Sequence, residues 1–96
     1  MRYFPLFADL HDRRVLVVGG GAVAERKVRL LLEAGARVRL VAPEVTAWLR
    51  ENPSIEVHRE RFEPRHLDGA VLAVAATDDR AVNEAVASAG RERNVL

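Results

Sequence analysis

Small residues recur in Val18-Gly19-Gly20-Gly21-Ala22-Val23-Ala24 at the spacing G-x-G-x-x-A, carried by Gly19, Gly21 and Ala24. Each position has its own physical task. Gly19 lets the chain turn sharply, Gly21 has no side chain to keep a pyrophosphate off the backbone, and Ala24 is small enough for a helix to pack closely on a strand. The amides of Gly21, Ala22 and Val23 would be helix N-terminal donors without intrahelical partners, a ready anion site. The chemistry on offer is capture of a dinucleotide's phosphates. A glycine-rich turn that binds nothing can share this spacing; a strand before it and a helix after it favour binding.

A second strand end should complete such a site. NAD-binding folds often place Asp or Glu there to grip the ribose hydroxyls. Here that end is Val41-Ala42-Pro43, and Glu44 is the nearest carboxylate. Either Glu44 turns inward or Pro43 and the backbone replace the grip. No arginine stands at that point for a 2′-phosphate, so NAD is favoured over NADP. A third segment, Ala75-Ala76-Thr77-Asp78-Asp79, has small residues where a ligand could lie against a strand tip. Thr77 or Asp78 is expected to cap the next helix, which is compatible with contact to the nicotinamide ribose. His11, His58 and His66 lack ligand spacing and read as surface or turn residues, so no metal site is expected. Lys27 reads as a helix flank, Trp48 as core, and Arg59-Glu60-Arg61 as a solvated charge run.

The elements that must position these residues alternate along the chain. Val15-Leu16-Val17-Val18 is short and β-branched, a buried strand. Ala22 to Ala34 is a helix with Val23, Val28, Leu31 and Leu32 on an apolar face and Glu25, Arg26, Arg29 and Glu33 on a charged one. Gly35 stands where a helix takes a left-handed terminator. Val38 to Ala42 is the next strand, followed by a short helix from about Glu44 to Glu51. Ile55 to His58 alternates as an edge strand does. Pro64 to Gly69 forms a turn or single helical turn. Val71 to Ala75 is apolar throughout, so it is expected to be a central strand. Asp78 to Arg93 is a helix, and Asn94-Val95-Leu96 resembles the opening of another strand. This order predicts an α/β, Rossmann-like fold: a parallel sheet of four to five strands flanked by helices, with right-handed crossovers. The ligand crevice would lie beyond the C-terminal ends of the first and fourth strands.

Composition sets the outer limits. Ninety-six residues suit one domain, and 49% hydrophobic with 30% charged residues is ordinary for a folded globule. Fifteen basic and fourteen acidic side chains leave a charge of +1, with no overall pull toward nucleic acid or an anionic membrane. The absence of cysteine excludes disulfides, zinc-thiolate sites, iron–sulfur clusters and a cysteine nucleophile. The longest apolar run, Ala70 to Ala76, is far short of a membrane span. The N-terminus, with Pro5 and Asp9, does not read as a signal peptide, and a cytoplasmic location is expected.

Taken together, Pro5-Leu6-Phe7, Leu10, the run from Val15 to Lys27, and Leu31-Leu32-Glu33-Ala34-Gly35-Ala36 resemble the N-terminal domain of siroheme synthase, the precorrin-2 dehydrogenase / sirohydrochlorin ferrochelatase family. Ala75 to Asp79 with Val82-Asn83 continues the likeness. The resemblance implies NAD-dependent oxidation of precorrin-2 to sirohydrochlorin, with iron insertion in some members and a homodimer for the whole protein. It implies cofactor contacts at Ala22 and Val23 and at Pro43 and Glu44, and it tolerates the missing ribose acid. The family's essential aspartate belongs to an Asn-Val-Val-Asp-like stretch after the last helix. This sequence reaches Asn94-Val95-Leu96, so no catalytic residue is assigned, and Asp78 and Asp79 do not inherit that role. The expectation is an NAD-binding domain, cut before its catalytic strand and inactive alone. The rival expectations are a non-enzymatic NAD-binding sensor and an interaction module with a vestigial cofactor site.

Overall fold

The computed structural model describes residues 10–96. The Pro5-Leu6-Phe7 part of the resemblance lies outside the described residues. Strand β1 (Arg14–Val18) runs into helix α1 (Ala22–Glu33), then β2 (Arg37–Val41), α2 (Ala47–Glu51), β3 (Ile55–His58), a 3₁₀ turn (Pro64–Leu67), β4 (Leu72–Ala75) and α3 (Arg80–Glu92). The sheet order is β3-β2-β1-β4, and every pairing is parallel. That is the expected Rossmann-like α/β arrangement, with four strands among the described residues.

β1 explains why the core has two halves. Its side chains alternate, and both faces are covered. Val15 and Val17 pack with Ala24, Val28 and Leu31 of α1 and with Leu49 of α2. Leu16 and Val18 pack with Leu67, Val86 and Ala89 on the side of α3. A strand buried on both faces is apolar at every position, which is the composition of Val15 to Val18. Val38 and Leu40 of β2 join the first half, while Val41 joins the second.

Helix ends set the strand entries. Gly35 has φ +82°, its N–H donates to the Leu32 carbonyl, and the Ala36 N–H donates to the Leu31 carbonyl. This paired pattern closes α1 and turns the chain directly into β2.

Four expectations change. Val23 is 46% exposed, and the buried stripe of α1 is Ala24, Val28 and Leu31. α2 starts at Ala47, capped by Thr46, because the preceding backbone is tied to the glycine turn: the Thr46 N–H donates to the Gly20 carbonyl at 2.9 Å. β4 is outermost among the described strands rather than central, and its side chains are only partly covered. Asn94 closes α3 instead of opening a strand. It has φ +57°, and the Val95 N–H donates to the Gly90 carbonyl at 2.8 Å, the same terminating pattern with asparagine in place of glycine. Leu96 lies beside the residue that precedes β4, its N–H donating to the Val71 carbonyl at 3.3 Å.

Candidate functional site

The glycine turn leaves β1 between the ends of two neighbouring strands. The Gly19 N–H donates to the Val41 carbonyl of β2 at 3.0 Å, and the Ala76 N–H beyond β4 donates to the Val18 carbonyl at 2.8 Å. Gly19 has φ +142°, and a Cβ there would strike the Ala76 carbonyl. Gly20 is confined from the other side: a Cβ would strike the Glu44 carbonyl and lie 2.9 Å from Val45 Cγ1. At Gly21 a Cβ would meet nothing within 4 Å. Gly19 and Gly20 are thus fixed by protein contacts, whereas Gly21 faces open space.

That open space is a cavity of about 930 Å³ at the C-terminal edge of the sheet, at the upper end of ordinary small-molecule pockets. Gly19, Gly21, Ala22 and Val23 line one side of it, Pro43 and Glu44 a second, Thr77 and Asp78 a third. These eight residues come from three separate segments of the sequence, and the fold gathers them around one volume. Ala24, the ninth, does not line it. Ala24 is fully buried beneath the turn, where it packs in the core with β1. Gly21 is the N-cap of α1 and supplies no side-chain bond to the first turn. The first-turn amides of Ala22 and Val23 therefore sit at the positive end of a twelve-residue helix beside the cavity.

The third side differs in detail from expectation. Asp79, not Thr77 or Asp78, caps α3: its Oδ1 accepts from the N–H groups of Ala81 (2.9 Å) and Val82 (3.2 Å). Thr77 holds the loop that presents it. The Thr77 Oγ1 accepts from the Asp79 N–H at 3.0 Å and donates to Asn83 Oδ1 at 2.7 Å, while Asn83 Nδ2 donates back to the Thr77 carbonyl. The Asp78 side chain enters none of these bonds, so it is the carboxylate of this loop left to the cavity.

Two features were missed from sequence. Arg61 and Phe62, beyond β3, also line the cavity. The sequence places Arg61 in a solvated run because nothing local shows that the chain after β3 folds back beside the end of β2. His66 lies in the 3₁₀ turn, as one of the two expected settings, but it is 2% exposed rather than a surface residue. Ligand atoms of His58, Glu60 and His66 lie within 4.8 Å of one another, a grouping that only the folding-back of residues 59–66 creates. The His66 Nδ1 accepts from the Glu63 N–H at 2.9 Å, closing a capping box on the 3₁₀ turn. An accepting Nδ1 leaves the ring proton on Nε2, which points to Glu60 Oε2 at 3.3 Å without hydrogen-bond alignment. In this tautomer His66 turns an N–H rather than a lone pair toward the other two groups. The His66 imidazole and the Arg65 guanidinium hold the Glu60 carboxyl below its ordinary value. Lys27 is exposed and outside the cavity, and Trp48 packs on the core with Arg29 stacked 4.1 Å from its ring centre.

The model of a family described as putative NAD(P)-binding matches residues 6–96. The chain belongs to that family. The open position at Gly21 fits such a cofactor on structural grounds, since it leaves the backbone bare where a pyrophosphate would approach. This NAD(P)-binding chain is 48% identical over 99 residues to a siroheme synthase of Nitrosomonas eutropha, with 99% of the chain and 21% of that protein covered. It is 50% identical over 99 residues to a siroheme synthase of Chromobacterium violaceum, again spanning 21% of it. Among solved structures it resembles SirC, a precorrin-2 dehydrogenase, with TM-score 0.78 and 38% identity, covering 83% of this chain and 42% of that one. The likeness to siroheme synthases read from the two motif clusters is borne out. The chain spans about a fifth of the siroheme synthases it matches. No helix among the described residues is long and apolar enough to cross a membrane.

Proposed function

We propose that this chain is the cofactor-binding portion of an NAD-dependent precorrin-2 dehydrogenase acting in siroheme biosynthesis. The likeness to SirC carries the proposal. NAD⁺ held in the cavity would supply the hydride acceptor for oxidation of precorrin-2 to sirohydrochlorin, with NADH and a proton as the other products. The residues of this chain bind and orient. Ala22 and Val23 offer first-turn amides to the pyrophosphate, and Gly21 leaves it room. Pro43 and Glu44 line the side of the cavity where the adenosine ribose would lie, and Thr77 and Asp78 the side where the nicotinamide end would lie. Buried Ala24 lets α1 sit close on β1, which aims those amides at the cavity. The proton acceptor and the tetrapyrrole site are assigned to no residue of this chain. A homodimer of the whole protein and a cytoplasmic location belong to the same proposal.

The test is precorrin-2-dependent formation of NADH by the protein that carries this domain, measured beside NAD binding. NADH and sirohydrochlorin should appear in equal amounts with the wild-type protein and fall to background in Gly21→Ala. NAD binding without precorrin-2-dependent NADH would remove the dehydrogenase assignment and leave a nucleotide-binding domain.

A further inference from the structure

We propose that the Asp78 carboxylate, fixed by a brace between Thr77 and Asn83, makes the cavity hold the oxidised cofactor, NAD⁺, more tightly than NADH. The proposal rests on the cofactor reading above and gives one residue of that site a task of its own. The two redox forms differ at the ring: the oxidised nicotinamide carries a positive charge and the reduced one is neutral. A fixed carboxylate beside that end attracts only the charged ring.

The loop after β4 is held at every residue except Asp78. The Ala76 N–H donates to the Val18 carbonyl at 2.8 Å, which ties the base of the loop to β1. The Thr77 hydroxyl donates to Asn83 Oδ1 at 2.7 Å, and Asn83 Nδ2 donates to the Thr77 carbonyl at 3.0 Å. Both ends of one side-chain amide are thus spent on a single loop residue. The Asp79 N–H donates to Thr77 Oγ1 at 3.0 Å, and the Asp79 carboxylate is turned to the amides of Ala81 and Val82. Asn83 is half-buried and lines no part of the cavity. Its part is to hold Thr77, and through it the backbone that carries Asp78.

Asp78 is left exposed on the cavity wall, paired with no cation among the described residues. Arg61 is the single cation among the described residues that line the cavity, and it stands on the other side. There the Ala42 N–H donates to the His58 carbonyl at 3.1 Å and holds the chain after β3 beside the end of β2. The carboxylate at the nicotinamide side is therefore not neutralised by a neighbour, and its attraction for a cationic ring is weakened only by distance and salt. Such a bias loads the site with the oxidant and speeds the release of NADH.

The experiment titrates the protein that carries this domain with NAD⁺, with NADH and with ADP-ribose, which lacks the nicotinamide, for wild type, Asp78→Asn and Asn83→Ala. Asparagine keeps the shape and an acceptor oxygen at position 78 and removes the charge. In wild type the dissociation constant of NADH should exceed that of NAD⁺ by roughly 3- to 10-fold at about 20 mM salt, and the ratio should shrink toward one at about 0.5 M. Asp78→Asn should weaken NAD⁺ by that same factor and change NADH and ADP-ribose by less than about twofold. Asn83→Ala, with the carboxylate present but no longer fixed, should lower the ratio too; an unchanged ratio in that variant overturns the part given to the brace. Because Asp78 is exposed and outside the brace, Asp78→Asn should melt close to wild type, so it decides the matter even where Asn83→Ala fails to fold. Equal or tighter binding of NADH by wild type, or equal losses of NAD⁺ and NADH in Asp78→Asn, overturns the proposal while the cofactor reading stands. Failure of wild type to bind any of the three overturns both.

Discussion

Gly20 and Gly21 adjoin in the chain yet answer to different demands. A methyl group at Gly20 would be driven into the Glu44 backbone carbonyl, with no flexible group to yield. A methyl at Gly21 meets no protein atom within 4 Å, and its φ of −103° is open to any L residue. Gly20→Ala should therefore cost about 1–3 kcal/mol of stability. Gly21→Ala should stay within about 1 kcal/mol of wild type and yet lose NAD binding, since its methyl occupies the space a pyrophosphate needs. Thermal melts beside an NAD titration separate the two, and Gly21→Ala with intact NAD affinity would refute the role given to that open position. The same pair marks what a sequence can tell at this scale. Gly21 and Ala24 are legible because their tasks belong to the turn and its helix, and Gly19 is legible from its sharp turn although the Ala76 carbonyl of another segment also closes its Cβ position. Gly20 is not, because its constraint comes from Glu44 on another segment. Asp79 displaced Thr77 and Asp78 as the cap for a similar reason: which of three neighbouring polar residues aims at the first helical turn is decided by the Thr77–Asn83 brace.

Element by element, type and order could be read from periodicity, while ends and neighbours depended on contacts between segments. α2 begins late because Thr46 bonds to Gly20, and α3 is ended by a left-handed Asn94 that composition alone suggested was strand. The apolar run of β4 predicts a central strand; both of its faces do meet the core, but one edge lies outermost among the described strands. Across β1, β2 and β3 a charged ladder joins the strands from outside the core. Glu56 of β3 binds His58 of its own strand, Arg39 of β2 at 3.1 Å and Arg14 of β1 at 3.3 Å. Arg39 also donates to the carbonyls of His66 (2.9 Å) and Asp68 (3.0 Å), fastening the 3₁₀ segment to the sheet. His58 first, then Arg39 and Arg14, hold the Glu56 carboxyl below its ordinary value of 4.5. A carboxyl lowered in the folded state contributes stability above its unfolded value and loses it as pH falls through the folded one. Glu56→Gln should therefore melt below wild type at neutral pH, and the gap should narrow as pH falls below the ordinary carboxyl value of 4.5 and close once the lowered folded-state carboxyl is protonated. A gap that stays constant between those conditions would show that the ladder's charge contributes nothing.

At the scale of the whole molecule, the cavity lies where the two halves of the core meet at one edge of the sheet. Its walls come from the first half through the α1 turn, from the second through Val82 and Phe62, and from strand ends that belong to both. A ligand seated there touches β1, β2, α1 and α3 at once, so it cannot bind a partly unfolded chain that has lost either half. Binding should consequently stabilise the fold as a unit, by RT ln(1 + [L]/Kd), which is about 2.7 kcal/mol at one hundred times Kd. For a domain of this size each kcal/mol is worth roughly 4–8 °C, so NAD at that concentration should raise the melting temperature by about 10–20 °C in a single transition. Gly21→Ala, which keeps the fold and fills the phosphate space, should show no such rise. A rise of equal size in that variant would place the cofactor elsewhere on the molecule. A melt that splits into two steps would mean that α3 and the 3₁₀ segment unfold apart from the β1–α1 half, and that the two sides of the cavity are not coupled.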